Sequence, residues 1–258
     1  MKKGIILESF KTDYEKAIAL AIELGFEGIQ FYGNYYTPDS VPLTVSAVCA
    51  EIDGDSFETY NSERIEKTKE IMLLSKKLGC SIVTTHIGVV NLENADMKKA
   101  IEEIGAFGEK IGVSLAIETG PEKCTTLKQF IEGLNTKNVG VNLDPANLVM
   151  VTDDDPVKGI YTLKDHILHV HIKDGVMLKK TDPKVIYDFF ASGGIGDLRL
   201  DEYFRETPLG EGNVDLKGVI SALSDIGYDG FLTIERETGN TPVEDIKKAI
   251  IYLDSLMK

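Results

Sequence analysis

Four times along this chain an apolar helical run ends on a glycine, and a short apolar run follows within a few residues. The junctions are Leu24-Gly25-Phe26, Leu78-Gly79-Cys80, Ile111-Gly112-Val113 and Ile226-Gly227-Tyr228. Glycine takes the left-handed closing conformation after a helix without steric cost, so each junction reads as a helix C-terminus leading into a strand. Strands separated by helices pair in parallel through βαβ units. The apolar runs predict strands over 4–7, 28–31, 43–49, 82–85, 113–118, 139–144, 167–171 and 231–235. The amphipathic runs predict helices over 14–24, 62–78, 97–111, 127–134, 215–226 and 243–257.

Eight strands in 258 residues fit one closed (β/α)8 TIM barrel, read as a single domain over 1–258. An open doubly wound sheet would place a glycine-rich phosphate turn after its first strand. The turn here, Glu8-Ser9-Phe10-Lys11, has no glycine. No Ser/Gly-rich, Pro-rich or single-charge run divides the chain. Two segments break the repeat. Residues 33–42 hold two prolines beside a tyrosine cluster and predict a loop in place of a helix. Residues 175–212, after the seventh strand, form a long insertion with a short helix expected near 185–190 and a lid as its expected role. Within it Gly193-Gly194-Ile195-Gly196 reads as a flexible turn, because no strand precedes it as a phosphate cradle requires.

Side chains alternate faces along a strand, and the phase carries the chemistry. In 113–118, Val113, Leu115 and Ile117 share one face and Ser114, Ala116 and Glu118 the other. In 139–144, Gly140, Asn142 and Asp144 oppose the branched residues. His169, His171 and Lys173 oppose Leu168, Val170 and Ile172, and Phe231, Thr233 and Glu235 oppose Leu232 and Ile234. The branched face packs on the outer helices, so Glu118, Asp144, His171 and Glu235 are expected to point into the barrel. All four sit at C-terminal strand ends, where barrels build their active sites. Three carboxylates in one mouth repel one another unless a cation neutralises them. Oxygen-rich donors with one imidazole and no sulfur suit one divalent ion, Mn²⁺ first, with Mg²⁺, Co²⁺ or Zn²⁺ as alternatives.

The net charge of −14 repels phosphate backbones and argues against a nucleic-acid partner. Three cysteines at long spacings argue against a disulfide framework or zinc knuckle and for a reducing, cytoplasmic setting. No apolar stretch reaches membrane-spanning length, and the short apolar run near the N-terminus reads as a strand.

The stretches SLAIETG (114–120), VGVNLDPANL (139–148), HVHIKDG (169–175), PLGEGNVD (208–215) and IGYDGFLTIERE (226–237) resemble the xylose-isomerase-like barrel superfamily. Looser agreement extends into the first half through GFEGIQFYG and TTHIG. That group includes sugar isomerases and epimerases, inosose dehydratases and endonuclease IV-type repair enzymes. The resemblance implies that Glu118, Asp144, His171 and Glu235 hold the metal. It also implies that Glu118 and Glu235 move a proton beside a substrate carbonyl, through a cis-enediolate, on a ketose, keto-sugar or keto-glycoside. His86, Asn147, Lys173, Asp174 and Glu211 are the expected substrate contacts. For Lys173 a salt bridge with Asp174 or Glu211 is an equal reading, for Asp174 orienting His171 or capping a loop are alternatives, and Arg236 is expected to pair with Glu237 at the rim. Asn147 stands where ketose 3-epimerases commonly carry histidine, and Gln30 where many relatives carry glutamate. The partner is a small sugar, with a homodimer or homotetramer as the expected assembly. Rival readings are a dehydratase of an inosose or similar cyclic ketone, a repair endonuclease, and a non-catalytic sugar-binding barrel. The endonuclease would need more histidines than the four present.

Overall fold

The computed structural model describes residues 1–52, 56–192 and 198–257. Eight parallel strands close into a barrel. In chain order they are β1 (Lys2–Ile6), β2 (Gly28–Tyr32), β3 (Thr44–Cys49), β4 (Ile82–Thr85), β5 (Ser114–Glu118), β6 (Val139–Leu143), β7 (Ile167–Ile172) and, after an inserted hairpin, β10 (Phe231–Ile234). The ring closes where β1 pairs with β10, Gly4 opposite Thr233. Every expected strand is present, shifted by two residues at most. The branched faces are outward and buried: Leu115, Ile117, Val141, Leu143, Val170, Ile172, Leu232 and Ile234 are all 0–2% exposed.

The outer layer holds α1 (Tyr14–Glu23), α2 (Ser62–Lys77), α3 (Ala95–Ile111), α4 (Cys124–Glu132), the single turn α5 (Pro145–Asn147), α6 (Pro156–Leu163), α8 (Leu216–Asp225) and α9 (Pro242–Leu256). Asp13, Asn61, Asn94, Asp155 and Asp215 cap helix N-termini by accepting from backbone N–H groups. Gly25, Gly79, Gly112 and Gly227 all have φ between +74° and +77°, as the four junctions require. Residues 33–42 form a loop without a helix, as expected.

The insertion is more ordered than its composition suggested. β8 (Asp174–Met177) pairs antiparallel with β9 (Phe204–Thr207) in a two-stranded sheet outside the barrel. Between them lie α7 (Pro183–Ser192) and a 3₁₀ turn, Leu200–Glu202. Gly193-Gly194-Ile195-Gly196 lies outside the described residues. Among the described residues, no helix is long and apolar enough to cross a membrane.

Candidate metal centre and active site

Glu118 ends β5, Asp144 follows β6, His171 lies near the end of β7 and Glu235 follows β10. One ligand atom from each lies within 4.8 Å of the other three, and all four residues are buried. The carboxylates are fixed by separate donors. Asn142 Nδ2 donates to Glu118 Oε2 at 3.0 Å and Asn147 Nδ2 to Glu118 Oε1 at 3.1 Å. Asp144 Oδ1 accepts from the amides of Ala146 and Asn147 at the start of α5. Lys173 Nζ donates to Glu235 Oε2 at 3.0 Å.

The protein leaves one acceptor at this centre without a hydrogen bond. Asp144 Oδ2 is fully buried and accepts none, with Lys173 Nζ 3.9 Å away. A buried carboxylate oxygen so weakly paired costs free energy unless a cation takes it up. His171 Nε2 lies 3.1 Å from both Gln30 Oε1, which only accepts, and Asn142 Nδ2, which only donates; a hydrogen on Nε2 satisfies Gln30. Its Nδ1 stands 3.6 Å from Glu118 Oε2 and 3.3 Å from both Glu235 Oε2 and Asn142 Nδ2. Three carboxylate oxygens and one imidazole nitrogen converge, and this donor set can hold a divalent metal ion.

Charge balance follows from the same contacts. Burial raises Glu235, but Lys173 and His171 outweigh it and hold the carboxyl well below its ordinary range. Burial also raises Glu118, and His86 and His171 reverse the shift. Asp144, the deepest of the three acids, stays raised by burial despite Lys173. His171 is disfavoured as a cation by burial but driven up by Glu118 and Glu235. Burial and the neighbouring His171 keep His169 neutral, bonded through Nε2 to Gln30 Oε1 at 2.9 Å as a core histidine.

The Gln30 contact favours the Nε2–H tautomer of His171 from across the barrel, and the Gln30 amide donates to Thr84 at 3.1 Å. Partners of this kind change metal affinity by about 10–100-fold. Gln30→Leu is expected to weaken metal binding by that factor with all four ligands intact. Titration calorimetry checks it, and an unchanged affinity counts against the tautomer argument.

The centre opens into a cavity of about 1210 Å³. Of the expected substrate contacts, His86, Asn147 and Lys173 line it. His86 Nε2 stands 3.5 Å from Glu118 Oε1. The structure takes the other two elsewhere. Asp174 turns into the loop after β9, where its carboxylate accepts from the amides of Gly175, Val214, Gly210 and Gly212. Four charge-assisted bonds outcompete a place in the cavity. Glu211 points to solvent outside the cavity lining.

Two expected ion pairs are also corrected. Lys173 pairs with Glu235 and Glu237 rather than with Asp174 or Glu211. Arg236 pairs with Glu206 and Asp245 rather than with Glu237. Successive residues project to opposite sides, so Glu235 and Glu237 both reach Lys173 while Arg236 points away.

Sequence reasoning missed Tyr187 on α7, which lines the cavity with its ring 5.6 Å from that of His86. Its hydroxyl occupies the space a Cβ at Gly120 would need. Asn142 was visible by its phase with Asp144, whereas Tyr187 and Glu206 arrive on the insertion and had no local signal. Glu122, in the loop after β5, was also missed. Burial pushes it up to about 8 from the ordinary 4.5, opposed only by the Val90 amide at 3.5 Å, by His86 and by its own backbone.

A group raised in the fold contributes stability that is full below its unfolded value and is lost as pH rises through the folded one. The Glu122 contribution is therefore expected to be lost between pH 4.5 and about 8, and Glu122→Gln to lack that component. Urea denaturation across this range checks it; identical pH slopes in the two proteins would contradict it.

These features define a (β/α)8 barrel with a candidate metal centre at its mouth. A family model described as Xylose isomerase-like TIM barrel matches residues 18–256, and the chain belongs to that family. An inosose dehydratase of Lacticaseibacillus casei is 24% identical over 164 residues, covering 61% of this chain and 52% of the relative. The chain thus spans about half the length of the curated relatives it matches. A xylose isomerase domain protein from Planctomyces limnophilus superposes with a TM-score of 0.76 at 21% identity, covering 99% of this chain and 96% of that one. A probable 3-DHS dehydratase from Bacillus anthracis gives 0.76 at 20% identity, with 98% and 99% covered. Sugar 3-epimerases are among the further structures. At these identities the superpositions establish the fold.

Proposed function

We propose that the chain is a divalent-metal-dependent isomerase or epimerase that moves a proton at the carbon beside a carbonyl, on a ketose, keto-sugar or keto-glycoside. The observation that carries this reading is the convergence of Glu118, Asp144, His171 and Glu235, with Asp144 Oδ2 buried and accepting no hydrogen bond. Mn²⁺ suits these donors best. When bound, the ion supplies Lewis acidity that polarises the substrate carbonyl and lowers the cost of removing the adjacent proton.

The chain's own residues do the rest. Glu118 and Glu235 approach from β5 and β10, on different arcs of the barrel. One carboxylate takes the proton and, now a carboxylic acid, returns it at the neighbouring carbon; return to the opposite face falls to the other glutamate once it has taken a proton from solvent. Lys173 holds Glu235 ionised. Asn147 and Asn142 fix the two oxygens of Glu118. His86 presents a ring nitrogen to substrate hydroxyls from the cavity wall, while the amide hydrogens of Asn147 are held by Glu118 and Thr119. An unphosphorylated substrate fits, because the loop amides of Gly210, Gly212 and Val214 are already taken by the carboxylate of Asp174.

The likeness to inosose dehydratases supports a second reading. There the same proton abstraction is followed by loss of the β-hydroxyl: C–H and C–O bonds break, a C=C bond forms and water leaves.

Incubating metal-loaded protein in D₂O with ketoses, inososes and 3-keto-sugars tests both. Deuterium entering an isomer beside the carbonyl supports the first reading, and a dehydrated product the second. No exchange with any keto substrate, with metal bound, overturns the proposal.

A further inference from the structure

A cation of the chain's own stands inside the acid cluster. Lys173 follows β7 in the inward phase of His169 and His171, and its side chain is 4% exposed. Its ammonium donates to Glu235 Oε2 at 3.0 Å, pairs with Glu237 and stands 3.9 Å from Asp144 Oδ2. Glu235 Oε2 is also the oxygen that faces His171 Nδ1, at 3.3 Å. Two of the four residues that converge on the centre, Asp144 and Glu235, thus turn one oxygen each toward Lys173. An ammonium so placed offsets the repulsion among buried acids and opposes any second cation drawn to them.

The two carboxylates that Lys173 bonds differ in their surroundings. The Glu235 side chain is 6% exposed and that of Glu237 55%. Water screens Glu237, so the ammonium acts most strongly inside the barrel, where the effective dielectric is low. The neighbouring bases act elsewhere. Arg236 is matched by Glu206 and Asp245, and His86 reaches Glu118.

We propose that Lys173 sets the affinity and the charge selectivity of the metal centre: its ammonium shares Glu235 with the ion, restrains the binding of a divalent ion and penalises ions of higher charge. This rests on the metal-centre reading of Glu118, Asp144, His171 and Glu235. Repulsion between cations scales with the product of their charges, so a trivalent ion meets about one and a half times the penalty of a divalent one. A lysine that only oriented Glu235 toward the ion would have the opposite effect, since its loss would weaken binding.

Titrations of chelator-stripped wild type, Lys173→Met and Glu237→Gln with Mn²⁺ and with Tb³⁺, read by calorimetry, test it. Lys173→Met is expected to bind Mn²⁺ at least about tenfold more tightly than wild type, and Tb³⁺ at least about thirtyfold, as the charge scaling requires. Glu237→Gln removes the partner that draws Lys173 toward solvent, at a position exposed enough for this variant to fold even if Lys173→Met does not. It should bind Mn²⁺ at least about threefold more weakly than wild type. Unchanged or weaker Mn²⁺ binding in Lys173→Met, or equal gains for the two ions, overturns the proposal and leaves the metal centre standing. Unchanged Mn²⁺ affinity in Glu237→Gln overturns it as well. A wild type that binds no Mn²⁺ removes the metal centre itself, and this role of Lys173 with it.

Discussion

Glu235→Gln is expected to reduce turnover by about 10⁴-fold, the upper range for loss of a positioned acid–base group. Glutamine preserves the volume and one oxygen but has no charge and cannot accept a proton. The variant also removes a negative oxygen from the cluster, so metal affinity should fall together with turnover. Lys173 loses one of two close carboxylate partners and keeps Glu237. A steady-state assay beside a metal titration separates the two effects. If saturating metal restores turnover to within about tenfold of wild type, Glu235 only holds the ion and the proton-transfer role is wrong.

The second large effect concerns stability. Arg236, one residue past that acid, is buried with 9% of its side chain exposed, and its two partners, Glu206 and Asp245, are 2% and 7% exposed. It ties β9 of the insertion to α9 of the frame. Arg236→Met would strand two buried carboxylates, a change that costs about 3–5 kcal/mol. For a chain of this size that corresponds to a fall in melting temperature of roughly 10 °C. Arg199 and Asp201 form a pair of the same chemistry on the surface, 67% and 68% exposed. Arg199→Met should cost less than about 1 kcal/mol. Calorimetric melting of both variants decides: equal shifts would show that the buried network does not anchor the insertion.

The frame was legible in the sequence because its signals are local. A glycine after a helix and a branched residue at every second strand position depend on neighbours a few residues away. For the same reason the strand phase alone places Glu118, Asp144, His171 and Glu235 on one inner face. α6 is a miss that had a signal, Asp155-Pro156 as cap and first turn. The hairpin of β8 and β9 had none, since Asp174 pairs with Thr207 across 33 positions. The partners of Lys173, Arg236 and Asp174 depend on that non-local pairing. Phase alone set Lys173 inward but could not say that Glu237, rather than Glu211, would meet it.

The most direct test of the central claim is a titration of chelator-stripped protein with Mn²⁺, read by calorimetry in wild type and in Asp144→Asn. We predict one ion per chain in the wild type and at least about 100-fold weaker binding in the variant, because Asp144 Oδ2 lies buried, accepts no hydrogen bond and joins the three other donors. Absence of stoichiometric binding, or equal affinity in the two proteins, would contradict the account.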